Sequence, residues 1–413
     1  MSNKNNQVVK ISAREAQLKR KIRRHLNGIG LRKGADGNLH ASGNGKEVVR
    51  ALHGPQRADR QKENKEFIQH NIDRLNKYFA SGNEVDPERI RPTIERVRAK
   101  SWQGDLFRLA SLTWSVPVSQ GFGRRLRYLV WDASNGKLIG IFAIGDPVFN
   151  LGVRDRYIGW DSRDRSNRLA NLMDAYVVGA VPPYNLLLGG KLVACLISSR
   201  DVYDDFRKVY GSSTGIISEQ RKQARLLAIT TSSSMGRSSV YNRLKINGTR
   251  YLTSIGYTGG WGHFHIPDGL FQELREYLRL IGHHYADHHA YGQGPNWRLR
   301  TLRTAFVELG IGDDILRHGV NREVFISFLA RNGASILRTG KGRPDLSSLS
   351  TVQEIGEQAV NRWMVPRASR RPEFRDWPSK GIRDLVAHPQ RVDLAWTREG
   401  DSNTPRTLSD EEG

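Results

Sequence analysis

The sequence predicts an α+β protein, a mixed sheet with flanking helices, extended at both ends by basic, mainly helical segments. Three observations lead there. Two β-rich runs, 127–131 and 138–142, flank Asp132-Ala-Ser-Asn-Gly136, and Asn-Gly between such runs is a strong hairpin signal. A further β-rich run at 173–180 ends at Pro182-Pro183, where proline cannot donate to a ladder, and Gly189-Gly190-Lys191 then leads into an apolar helix through Ile197. A helix including 202–209, an apolar run at 226–230, a short helix at 239–244 and a strand pattern at 251–257 follow. Hairpin, strand, glycine turn, helix, strand, short helix, strand is the order of a mixed α/β unit.

The flanks are read element by element. Residues 1–33 hold ten Lys/Arg against one acid, Glu15, and Leu18, Ile22 and Leu26 recur at i, i+4, i+8, so a basic amphipathic helix is expected. Residues 34–54 are rich in Gly, Asn and Ser and read as a linker. A second helical pattern runs over 65–80, and a third, shorter one starts at Asp86-Pro87 and continues through Ile90, Ile94 and Val97. β-character is expected to begin near Leu106. A helix is expected from Pro267-Asp268 through Leu270, Leu274, Leu278 and Ile281, followed by helical stretches and basic clusters up to residue 400 and a polar, acidic, disordered tail. The resulting division is 1–55 arm and linker, 56–105 helical, 106–275 α/β core, 276–400 basic and mainly helical, 401–413 tail.

Composition narrows the function. The 413 residues suit two or three domains, and 38 % hydrophobic content supports a true core. No apolar run approaches 18 residues and the N-terminus has no apolar signal segment, so neither a membrane helix nor secretion is expected. The single cysteine, Cys195, excludes an internal disulfide framework and fits a reducing, cytoplasmic setting, where it packs as a small hydrophobe. A net charge of +23 and a pI near 10.3 point to nucleic acid as partner, without specifying DNA or RNA. The arginines expected to meet phosphate are Arg23 and Arg24 in the N-terminal helix, Arg237 and Arg243 around the short helix, and Arg298 and Arg300 in a C-terminal basic cluster.

Several constellations can carry chemistry. Glycines between a strand end and a helix start expose N–H groups at the positive end of the helix dipole, which makes Gly189, Gly190 and Lys191 a candidate phosphate or cofactor site; the same glycines can simply allow close packing. Asp174 stands in an otherwise apolar strand, where an unpaired acid is costly. With Asp146, Asp155 and Asp164 it can be read as a Mg²⁺-binding set for phosphodiester cleavage, or each aspartate can pair with a neighbouring arginine. Tyr241, in Gly236-Arg-Ser-Ser-Val-Tyr-Asn-Arg243, can donate a proton or lie on the sheet behind a Ser238 cap. His283, His284, Asp287, His288 and His289 offer i, i+4 pairs for zinc if the preceding helix continues, but no third or fourth ligand is visible, and solvated or phosphate-contacting histidines fit as well.

The order of elements resembles the GNAT acyltransferases, in which a hairpin precedes a strand whose end splays open and the next turn holds the pyrophosphate of acyl-coenzyme A. That resemblance implies Gly189, Gly190 and Lys191 at the cofactor, Asp174 as base and Tyr241 as acid. Only the last glycine of Asn185-Leu-Leu-Leu-Gly-Gly190 matches the GNAT motif, so the cofactor does not follow from it.

Linked motifs over roughly residues 60 to 300 also resemble the DruA family of the Druantia anti-phage defence systems. They are Trp114-Ser-Val-Pro-Val-Ser119, Asn135-Gly-Lys-Leu-Ile-Gly140, Gly145-Asp-Pro-Val-Phe-Asn150, Arg154-Asp155 before Ile158-Gly-Trp160, Asp174-Ala-Tyr176, and 179–184. They continue with Gly189-Gly-Lys-Leu192, 236–243 and Gly292-Gln-Gly-Pro-Asn-Trp-Arg298. The family implies a role in antiviral defence beside partner components, one of them large and helicase-like, and it carries over no catalytic residue.

Overall fold

A computed structural model describes residues 2–34, 39–41, 46–118, 123–211, 213–214, 221–222, 224–287 and 297–387. The expected acidic tail, and His288 and His289, lie outside them. Seven strands form the central sheet: β1 (Pro92–Arg96), β2 (Arg125–Asp132), β3 (Lys137–Gly145), β4 (Leu172–Ala180), β5 (Ala228–Ser232), β6 (Thr253–Tyr257) and β7 (Glu323–Phe328). Their spatial order is β6-β7-β5-β4-β3-β2-β1, and every neighbouring pair is antiparallel except β4 with β5.

The sheet forms where the sequence alternates. Leu126, Tyr128 and Val130 of β2 pack on one side with the helices Gly189–Leu196 (α7) and Arg200–Tyr210 (α8), while Leu129 joins Leu106, Leu109 and Ile382 on the other. β3 is an unbroken apolar run, and all of Leu138–Ile144 is buried, as expected of a strand covered on both faces. The β2–β3 hairpin closes over residues 133–136, with Gly136 at φ +70°. Asp132 fixes this turn: its carboxylate accepts from the N–H groups of Ser134 (2.9 Å) and Arg91 (3.1 Å) and from the Tyr184 hydroxyl (2.9 Å).

A second core joins the N-terminal segment to residues 264–320. The basic helix spans Ser2–Gly28 (α1); Leu18, Ile22 and Leu26 are buried against Leu270, Leu274 and Leu278 of α9 (Asp268–Leu280) and Leu302 and Phe306 of α10 (Trp297–Glu308). On the flank of α1, Arg14 pairs with Glu276 at 3.4 Å and Lys21 pairs with Glu273.

Four local expectations are corrected. Residues 46–54, read as linker, are the first turns of α2 (Lys46–Glu63), which buries Leu52 and His53. Residues 92–96 are strand, not helix, because a spacing of four between Ile90 and Ile94 satisfies a period of 2 as well as 3.6, and Pro92 holds Arg91 extended. Around Leu106 the chain is helical (α4, Trp102–Leu112), started by Ser101, whose Oγ accepts from Gly104 N. The stretch read as mainly helical after residue 276 contributes β7, the strand next to the edge strand β6.

Candidate functional site

The parallel pair β4–β5 is matched over only three residues, Leu172 with Ala228 through Asp174 with Thr230. Beyond this point β4 continues to Ala180 paired with β3 alone. Thr231 Oγ1 donates to Ala175 O at 2.8 Å, the last tie before the two strands part. Asp174 therefore sits at the fork, with Oδ1 accepting from Thr230 Oγ1 at 2.7 Å. Burial pushes its carboxyl up to about 6, against the pull of the Thr230 hydroxyl and the Arg154 charge.

The short helix Tyr241–Arg243 lies beside that fork. Tyr241 stands edge-on to Phe325, ring centres 5.3 Å apart, and its N–H donates to the Ser238 Oγ at 3.0 Å. Burial pushes its phenol up to about 12, a hydrogen bond with Thr231 opposes this, and the Asp174 carboxylate adds to it. The two candidate catalytic groups are thus brought close enough to feel each other's charge. The carboxyl is poised to exchange a proton near neutrality, and the phenol stays protonated. The packing reading of Tyr241 describes it: Ser238 caps the turn and the ring packs on the sheet.

Glu323, at the start of β7, is the residue that sequence reasoning missed. It is 4 % exposed and faces no cation among the described residues; its carboxylate accepts from Ser238 N (3.0 Å), Asn242 Nδ2 (2.8 Å) and Ser254 Oγ (2.9 Å). It acts through the 236–243 loop, fixing Tyr241 by way of Ser238 and Asn242. The available signal was an acid opening the apolar run Glu323-Val-Phe-Ile-Ser-Phe328, the same kind of signal that Asp174 gives.

The two glycines at the start of α7 differ. A Cβ on Gly189 would lie 2.7 Å from Tyr184 O, so this glycine serves close packing, whereas a Cβ on Gly190 would meet nothing within 4 Å. The Gly190 edge is open. Lys191 next to it lies 5.2 Å above the Trp363 ring. Burial, then Arg243 and Arg362, lower its pKa. Among the described residues none of these three cations has a carboxylate partner, so positive charge accumulates where α7, the 236–243 loop and the 360–364 turn meet.

Other candidates are committed elsewhere. Asp155 accepts from Arg154 (2.7 Å) and Arg165 (2.8 Å), Asp146 pairs with Arg124 (2.7 Å), and Asp164 with Arg168 (2.9 Å), so these three carboxylates serve ion pairs. Arg298 pairs with Asp268, donates to Ile266 O and stacks on Phe271 at 4.4 Å, while Arg23, Arg24, Arg237, Arg243 and Arg300 are exposed. The zinc spacing at 283–287 does not arise: α9 stops at Leu280, Gly282 turns the chain out at φ +73°, and Asp287 pairs with Arg279 and Arg275. Among the described residues no grouping of His, Cys, Asp and Glu is arranged to hold a metal ion, and no helix is long and apolar enough to cross a membrane.

The fold and site define a strongly basic α+β protein whose central sheet forks beside an aspartate–tyrosine pair and a cluster of three cations, Lys191, Arg243 and Arg362. The family model "Druantia protein DruA" matches residues 43–339. A Druantia protein DruA of Escherichia coli (strain UMEA 4076-1) is 64 % identical over 381 residues, 92 % of this chain and 94 % of the relative. The chain belongs to the DruA family, whose members are components of the Druantia anti-phage defence systems. No solved structure matches it.

Proposed function

We propose that this chain is the nucleic-acid-contacting component of its defence system, holding phosphate on a cationic surface around a GNAT-like core and working beside other components, including a helicase-like protein. The observation that carries the reading is the convergence of Lys191, Arg243 and Arg362 without an ion-paired acid among the described residues, in a chain of net charge +23. The two arginines lower the pKa of Lys191, an incoming polyanion relieves that repulsion, and each phosphate the cations neutralise releases a counterion. Such contacts position a strand without reading its bases, so binding is sequence-tolerant and salt-sensitive. Mobility shifts of DNA and RNA test it. Complexes should form at low salt and weaken for every sequence alike after charge reversal at Arg23, Arg24, Arg237 and Arg300. No complex with either polymer at low salt refutes it.

A second reading is acyl transfer from acyl-coenzyme A. It is favoured by the fork of β4 and β5, by Asp174 and Tyr241 beside it, and by the open Gly190 edge at the first turn of α7. In this reading Asp174 accepts the proton of the attacking group and Tyr241 protonates the leaving thiolate, while the open Gly190 edge and Lys191 face the pyrophosphate and Gly189 lets the turn pack closely on Tyr184. Calorimetry with acetyl-coenzyme A separates the two: binding that Gly190→Asp abolishes supports transfer, and no heat at millimolar ligand removes it.

A further inference from the structure

Of nine large apolar side chains left exposed among the described residues, five belong to one corner of the sheet: Val148, Phe149, Tyr157, Tyr257 and Trp261. The corner is built from the loop after β3, the helix Gly152–Ile158 (α5) and the edge strand β6 with the turn that follows it. α5 lies directly on β6, since a Cβ on Gly256 would stand 2.7 Å from Val153 Cγ2, and Tyr157 is one helical turn beyond Val153. β6 pairs with β7 alone and leaves its other side unpaired, while Trp261 is held by a bridge to Arg317.

These rings sit on a rigid base. Arg154, fully buried and paired with Asp155, donates to the carbonyls of Val148 (2.8 Å) and Phe149 (2.9 Å) and so pins the loop that presents them. Guanidinium groups surround them: Arg165 lies 4.6 Å over the Phe149 ring, Arg156 is exposed beside Tyr157, and Arg317 is 60 % exposed with only a loose 3.9 Å approach to Asp314. Exposed ring faces interleaved with arginine are what unpaired bases and their phosphates need, because every base has a face to stack and a duplex hides it.

We propose that this corner is a stacking platform for single-stranded nucleic acid. The proposal rests on the nucleic-acid reading above and refines it, assigning the unpaired strand to the aromatic corner and leaving sequence-tolerant phosphate contact to the Lys191 cluster. A protein partner on the same surface is the competing occupant; the net charge of +23 and the arginines between the rings favour the polyanion.

The test uses the full chain, a single-stranded oligothymidylate and a duplex of equal length. Replacing Phe149, Tyr257 and Trp261 together by alanine should weaken single-strand binding at least about tenfold, given the usual strength of base–aromatic stacking, and leave duplex binding and its salt slope unchanged. The three residues are solvent-exposed, so an unchanged melting curve is expected, and the ring-preserving set Phe149→Tyr/Tyr257→Phe/Trp261→Phe should keep most of the single-strand affinity. Single-strand binding unaffected by the triple substitution, with duplex binding intact, overturns the platform and spares the nucleic-acid reading. The same holds if the triple variant loses a helicase-like partner but no nucleic acid. A wild-type chain that binds neither strand form ends both.

Discussion

Acidification should unfold this protein from its second core outward. His53, His265 and His318 are 2 %, 0 % and 3 % exposed, and they join α2 to the segment 264–322. His53 stacks on Phe264 at 4.1 Å, with no well-formed hydrogen bond at either ring nitrogen among the described residues, and His265 donates through Nε2 to Ile315 O, 2.9 Å away. Burial, with neighbouring histidines and, for His53 and His318, Arg322 adding repulsion, lowers them to about 3 (His53), about 4 (His265) and about 3 (His318) from an ordinary 6.5. The folded values lie below the unfolded one, so the unfolded chain binds more protons. Their contribution is complete above pH 6.5 and is lost progressively as pH falls towards 4 and 3. By pH 5 each ring has given up about 2 kcal/mol, and the three together about 4–6 kcal/mol once water enters the opened cluster, a large part of an ordinary folding free energy. Urea titrations followed by circular dichroism at pH 7, 6 and 5 measure this directly. His53→Phe keeps the stack on Phe264 and removes an unpaired buried polar ring, so it should stabilise by ~1 kcal/mol at pH 7 and take roughly a third off the pH slope. Stability that stays flat between pH 7 and 5, or a slope that His53→Phe leaves untouched, would refute the reasoning.

Further outcomes follow from packing at the fork. Gly189→Ala drives a methyl to within 2.7 Å of Tyr184 O and should cost about 1–3 kcal/mol, whereas Gly190→Ala should be tolerated within about 0.5 kcal/mol; paired thermal melts distinguish them. Asp155→Ala strands the fully buried Arg154 charge, although its carbonyl contacts remain, and should lower stability by about 3–5 kcal/mol in denaturant titrations. Glu323→Ala leaves Ser238 N, Asn242 and Ser254 without their common acceptor. It should speed amide exchange across 236–243 and cost about 1–3 kcal/mol, while exchange in β2 and β3 stays slow.

The middle of the sheet was legible because its signals are local. Asn135-Gly136 marked the hairpin, the run from Leu138 to Ile144 marked a doubly covered strand, and an acid in the apolar run at 173–180 marked Asp174. What escaped is non-local or ambiguous in period. β7 enters the sheet between β5 and β6 from more than 60 residues beyond β6, and nothing in Glu323–Phe328 names its neighbours. β1 was read as helix because Ile90 and Ile94 satisfy either period, and α4 was hidden by the apolar density around Leu106. The basic N-terminal helix was visible, but its partner was not: Leu18, Ile22 and Leu26 close a core with α9 and α10, some 250 residues away. Of the cation cluster, Lys191 and Arg243 were readable as candidates, while Arg362 joins them only through the tertiary fold.

The central claim, phosphate contact at the meeting of α7 and the 236–243 loop, is tested most directly by the salt dependence of nucleic-acid binding. The wild-type chain and a Lys191→Glu/Arg243→Glu/Arg362→Glu variant would be titrated with one duplex at several salt concentrations. If the three cations meet three phosphates, log affinity against log salt should lose about 2.7 from its slope in the variant, with affinity falling for all sequences alike. A variant that is folded, binds as tightly as wild type and keeps the wild-type slope would contradict the account.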